Sequence, residues 1–168
     1  EVGWTLKSIA GKKQVLLELG GNAPCVIDEG CDVDSIAPAV ALAAFAQAGQ
    51  VCIKVQRIFV HDSLALRFTE RFVAAAKSHP CGDPKDESTI VGPLIEMKHV
   101  DRVLAWIDEA MQRGGKRLCG GERVGPLRSI VTPTVLTGVP ADAKVACEEV
   151  FGPVAVIEPF ATFETALE

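Results

Sequence analysis

Apolar residues in this chain come in short runs broken by glycine and proline, with a few longer stretches spaced for one face of a helix. Residues 14–21, QVLLELGG, form an apolar run stopped by two glycines, and residues 23–28, APCVID, form another. Both predict buried strands. Residues 32–49, DVDSIAPAVALAAFAQAG, offer Asp and Ser as caps, carry Pro38, tolerable only in a first turn, and run almost wholly apolar to Gly49. That pattern predicts a helix buried on most sides. Alternation in residues 55–61, VQRIFVH, predicts a strand. Asp62 or Ser63 can then cap a helix to about Ser78, with Phe68, Phe72 and Ala76 on one stripe. After a loop over 79–93, a second amphipathic helix is expected over 96–113, with Met97, Val100, Val103, Leu104, Ile107 and Met111 as its apolar stripe. The glycines at 114 and 115 end it. KRLCGG, SIVTPTVL, KVACEEVFGP and VAVIEPF predict short strands, with a last helix opening at Thr162. The order β, β, α, β, α, α, β, β, β, α implies a layered α/β domain.

Composition narrows the class. A chain of 168 residues, 48% hydrophobic and 23% charged, suits one globular core. No apolar run approaches the ~20 residues a bilayer-crossing helix needs, so a soluble, cytoplasmic protein without a membrane partner is expected. The 17 Lys and Arg are scattered among 22 acids, and the net charge is −5. Nothing resembles the clustered basic face that nucleic acid requires. The six cysteines show no Cys-x-x-Cys spacing, and His61, His79 and His99 follow no ligand spacing. Reduced thiols and no metal site are expected.

The chemistry candidates each have a bland counterpart. Cys52, in QAGQVCIKVQR, falls on a turn between a buried helix and a strand, where a rigid scaffold can expose a reactive group. A free cysteine is also common as inert core, and the negative end of the preceding helix opposes thiolate formation. Glu18 is flanked by leucines, where burial would raise its carboxyl toward the range of a general base. A carboxylate paired with a lysine or a backbone donor fits the same position. In CEEVFGP, the adjacent acids Glu148 and Glu149 are expected to face opposite ways, one to solvent and one inward.

Taken together, these stretches resemble the aldehyde dehydrogenase superfamily. LELGGNAP resembles its glutamate motif, GQVC its cysteine motif and EEVFGPV its second acidic motif, in the family's order. FVH, GDP, GP, GG and TPTVL are lesser matches. The resemblance implies the α/β catalytic fold of that family, a sheet packed by helices in three layers. It makes Cys52 the nucleophile and Glu18 the base, and it places Glu149, Phe151, Leu19 and Gly3 against an NAD or NADP cofactor. The implied reaction oxidises a small-molecule aldehyde to a carboxylic acid through a thiohemiacetal and a thioester, with the Cys52 N–H in the oxyanion hole. Residues 1–19 are expected to be a remnant of the cofactor-binding side and residues 20–168 a C-terminally truncated catalytic domain. The resemblance puts the second oxyanion donor, an asparagine, and most of the nucleotide-binding domain upstream, and it implies a homo-oligomer for the longer enzyme. Three alternatives stay open: a CoA-acylating relative, which typically lacks the Glu18 base; an inactive structural or oligomerisation module in the isolated piece; and a cysteine hydrolase, which wants a histidine placed to activate Cys52.

Overall fold

The computed structural model describes residues 1–126 and 128–167. Helix α1 (Val2–Ile9) is followed by an extended segment and then by β1 (Ala23–Ile27), α2 (Val33–Phe45), a 3-10 turn (Ala46–Gly49), β2 (Val55–His61) and α3 (Asp62–Ser78). After a long loop come α4 (Met97–Gln112), β3 (Lys116–Cys119), β4 (Arg123–Val124), β5 (Ile130–Val131) and β6 (Thr134–Thr137). The chain closes with α5 (Lys144–Cys147), β7 (Val154–Phe160) and α6 (Phe163–Leu167). Glu168, the last residue of the expected closing helix and domain, lies outside the described residues.

The main sheet has five strands in the order β1-β2-β7-β6-β3. The pairs β1–β2, β2–β7 and β7–β6 are parallel, and β3 runs antiparallel to β6. Strands β4 and β5 form a separate two-stranded ribbon. The expected α/β class is what folds. On β2, Gln56, Ile58 and Val60 are buried while their neighbours are half-buried, the period of two expected for a strand with one covered face. Central β7 is buried from Val154 to Ile157 on both faces, as a parallel strand flanked on each side should be.

Helices α2 and α3 pack on one another and on β2 and β7. The alanines Ala37, Ala41 and Ala44 recur at helical spacing and are fully buried, which lets the backbones approach. Phe45, Phe68 and Phe72 fill the space beside them, with Phe68 and Phe72 stacked at 5.6 Å and Phe45 5.7 Å from Phe72. Each such ring contributes roughly 1.5–3 kcal/mol by leaving water.

Several expectations are corrected. The run 14–21 pairs with no strand: sheet pairing starts at Ala23 against Val55, and Leu16 and Leu19 are exposed. An apolar run becomes a strand only where a ladder partner satisfies its backbone. The opening residues form helix α1, whose Val2, Trp4, Leu6 and Ile9 are exposed. Helix α2 is buried along one stripe only, with Leu42 exposed on the other side, and Pro38 sits in its second turn rather than its first. The cap of α3 is His61, whose Nδ1 accepts from the Ser63 N–H, not Asp62 or Ser63. On α4, Met97 and Met111 are exposed and Ala110 completes the buried stripe. SIVTPTVL splits at Thr132-Pro133 between two sheets, and KVAC is a single helical turn rather than a strand. Runs of two to four apolar residues are too short for periodicity to choose between the two forms.

No helix among the described residues is long and apolar enough to cross a membrane.

Candidate active site

The topology gathers the three motifs. Residues 17–22 lead into β1, residues 49–54 into β2 and residues 148–153 into β7. These three strands are parallel neighbours, with Ala23 beside Val55 and Arg57 beside Val156. Segments far apart in sequence therefore emerge at one edge of the sheet, that of the strand N-termini.

Cys52 is exposed, on a β-turn closed by the Lys54 N–H donating to the Val51 carbonyl at 3.1 Å. That bond uses the outer residues of the turn and leaves the Cys52 N–H outside it. Before the turn the chain runs through a left-handed stretch, with φ of 54° at Gln47, 57° at Ala48 and 66° at Gly49. Such conformations in non-glycine residues cost about 1–3 kcal/mol each and persist only where neighbours enforce them. Here Gln47 donates its N–H to Ile90, and the Gln50 side chain donates to Pro93 and accepts from the Ile95 N–H. The long loop over 79–93 thus props the cysteine turn. Helix α2 itself ends at Phe45. Its macrodipole fades within the last turn, and the left-handed stretch separates that end from the cysteine turn.

Gly21 is the junction of the site. Its N–H donates to Glu149 Oε1 at 2.9 Å, and a Cβ there would lie 3.1 Å from the Cys52 carbonyl oxygen. A Cβ on Gly20 would fall 2.2 Å from Glu149 Oε2. The two glycines are thus the surface on which Glu149 lies. Glu149 is half-buried and Glu148 exposed, the division expected of the pair.

The acidic loop is held from several sides. Gln56, 1% exposed, donates through Nε2 to the Val145 and Glu148 carbonyls and accepts from the Val150 N–H through Oε1. Arg102 donates to the Val150 carbonyl at 2.7 Å and stacks its guanidinium on Trp106. Asn22 donates to the Ala146 carbonyl at 2.8 Å, tying the glutamate segment to α5. Lys54 donates from Nζ to the Val154 carbonyl; burial lowers its pKa to about 7 against the raising influence of Glu149. Burial likewise lowers Arg102, while Glu148 and Glu149 act to raise it.

Phe151 has φ of 44° and is 41% exposed, so the loop turns its ring outward. Gly3 lies in the first turn of α1, where a Cβ would meet Leu19 Cδ2 at 2.8 Å. The candidates Gly3 and Leu19 are therefore neighbours. Glu18 is exposed on the unpaired segment, so the burial expected from its leucine neighbours is not found. The clefts lined by Arg57, Phe59 and Glu158, and by Cys81, Pro84 and Ile130, lie away from these residues. Among the described residues no cluster of His, Cys, Asp or Glu is placed to hold a metal ion.

Gln56, Lys54, Arg102 and the paired role of Gly20 and Gly21 escape sequence reading. Gln56 alone left a signal, as a polar residue at an inward position of an alternating strand.

The model of the aldehyde dehydrogenase family matches residues 1–168. An aldehyde-dehydrogenase-like protein of Sinorhizobium fredii is 41% identical over 166 residues, covering 99% of this chain and 32% of its own length. Aldehyde dehydrogenase 21 of Physcomitrella patens, solved with the reaction product succinate, superposes with a TM-score of 0.87 at 39% identity, over 99% of this chain and 34% of that one. Glyceraldehyde-3-phosphate dehydrogenase of Methanocaldococcus jannaschii, solved with NADP, gives 0.88 at 38% identity, over 97% of this chain and 35% of that one. The chain spans about a third of the length of the curated relatives it matches.

Proposed function

The chain belongs to the aldehyde dehydrogenase family, and from that premise we propose that it carries the nucleophile, the base and the nicotinamide end of the cofactor site of an enzyme that oxidises an aldehyde to a carboxylic acid. The observation that carries this reading is the junction at Gly21, which touches both the Cys52 turn and Glu149.

The residues suit NAD or NADP. One Glu149 oxygen takes the Gly21 N–H, and the carboxylate keeps acceptor capacity for ribose hydroxyls. The exposed Phe151 ring offers a face to a flat heterocycle. Leu19 precedes Gly20, against which Glu149 lies, and is the neighbour of Gly3. When bound, the cofactor supplies the hydride acceptor.

Cys52 Sγ, as the thiolate, attacks the aldehyde carbonyl carbon, forming a C–S bond as the C=O π pair moves onto oxygen, while the Cys52 N–H donates to the developing oxyanion. The carbon then loses its hydride, and the carbonyl re-forms as a thioester on Cys52. Glu18 takes a proton from water, the water oxygen attacks the thioester, and the C–S bond breaks to release the acid and the thiolate. An exposed Glu18 has access to that water.

Steady-state assay of the intact protein tests this reading. It should reduce NAD or NADP in the presence of an aldehyde, and Cys52→Ala should lower kcat by at least about a thousand-fold. Turnover retained by Cys52→Ala sinks it.

A further inference from the structure

We propose that Lys54 is a positioning residue of this site: its buried side chain ties the turn that carries Cys52 to the root of β7, and so fixes the turn that carries Glu149 and Phe151 where Glu149 receives the cofactor ribose. The inference rests on the role given to Glu149 above.

A lysine is seldom fully buried without a partner, yet Lys54 is 6% exposed. Its backbone closes the nucleophile turn through the bond to Val51, and its Nζ reaches the Val154 carbonyl at the start of β7. The stem threads a slot that small residues keep open. A Cβ on left-handed Gly49 would lie 3.1 Å from Lys54 Cδ and 2.3 Å from the Gly152 carbonyl oxygen. One side chain therefore spans the cysteine turn, the Phe-Gly-Pro turn and the root of the central strand.

The charge is placed as well as the stem. Glu149 favours the ammonium, and desolvation opposes it, leaving a group that titrates at about 7. Glu149 acts to raise both Lys54 and Arg102 from α4, and the adjacent Glu148 acts to raise Arg102 as well. Arg102 stays ionised throughout the working range, so Lys54 is the cation here whose charge changes near neutrality. Losing that charge weakens the bond from Nζ to the Val154 carbonyl, and with it the tie to the turn that carries Glu149. The consequence falls on cofactor binding rather than on chemistry at the thiol.

The test uses the intact enzyme, with Lys54→Met to keep the stem, Glu149→Gln, and the double variant, assayed from pH 6 to 9. Lys54→Met should raise the cofactor KM about ten-fold at pH 6, with kcat within about two-fold of wild type. The difference should shrink by pH 9, and it should vanish in the Glu149→Gln background. If Lys54→Met does not fold, the wild-type cofactor KM decides: a several-fold rise from pH 6 to 8, flattened in Glu149→Gln, supports the proposal. A wild-type cofactor KM in Lys54→Met at every pH, a loss confined to kcat, or a wild-type profile that is flat overturns it. Loss of the Cys52 reading would appear separately, as turnover surviving Cys52→Ala.

Discussion

Lys54 shows how one residue links site and stability. Unfolded, its amine holds a proton to about 10.5; folded, it gives the proton up at about 7. Between those values the unfolded chain binds more protons, so stability rises with pH. The cost of the buried ammonium is fully present below about 7 and is gone once both states are neutral. Equilibrium unfolding from pH 6 to 10 should show wild type gaining on Lys54→Met by up to about 1.4 kcal/mol per pH unit above pH 7. A pH-independent difference between the two contradicts the burial of the charge. Gly20 is a second residue-scale case, because any Cβ there collides with Glu149 Oε2. Gly20→Ala should displace the carboxylate and raise the cofactor KM several-fold with little change in melting temperature. An unchanged KM would argue that Glu149 does not bind cofactor. Neither residue could be singled out from the chain alone: a lysine before a strand is usually solvated, and a glycine pair usually marks only a turn.

Among elements, β2 and the 145–150 segment depend on each other through Gln56. Gln56→Leu keeps the volume but strands the Val145 and Glu148 carbonyls and the Val150 N–H that its side chain now satisfies. The expected loss is about 2–4 kcal/mol in denaturant unfolding, with cofactor affinity falling alongside. A loss under about 0.5 kcal/mol would mean the segment finds other partners. Elements with a long period were legible: the stripes of α3 and α4 and the alternation of β2 were written in their spacing. The short ones were not. α5 and the split between β5 and β6 are decided by tertiary hydrogen bonds that no local pattern carries. The run 14–21 was misread because apolar character supplies no ladder partner: the run pairs with no strand, and Leu16 and Leu19 stay exposed.

At the scale of the whole molecule, three loops meet because three parallel strands lie side by side. Sequence order gave no hint that β7 would insert between β2 and β6. The three motifs were legible through family resemblance, whereas their meeting at the strand N-termini required the topology. In the proposed function, the surface assembled there offers Glu149, Phe151, Leu19 and Gly3 to the nicotinamide end of a cofactor, within a chain about a third as long as its curated relatives. These 168 residues should therefore bind NAD or NADP at least a hundred-fold more weakly than a full-length relative does. Comparable affinities by calorimetry would show that the chain holds a complete nucleotide site.

The central claim is that Cys52 forms the covalent bond to substrate. Rapid acid quench of the intact enzyme turning over an aldehyde with its oxidised cofactor, followed by peptide mass spectrometry, reads this directly. The peptide carrying Cys52 should gain the mass of the acyl group as a thioester, and the adduct should accumulate further in Glu18→Gln. Turnover with no acyl mass on Cys52 in either protein, or an acyl group on another cysteine, would contradict it.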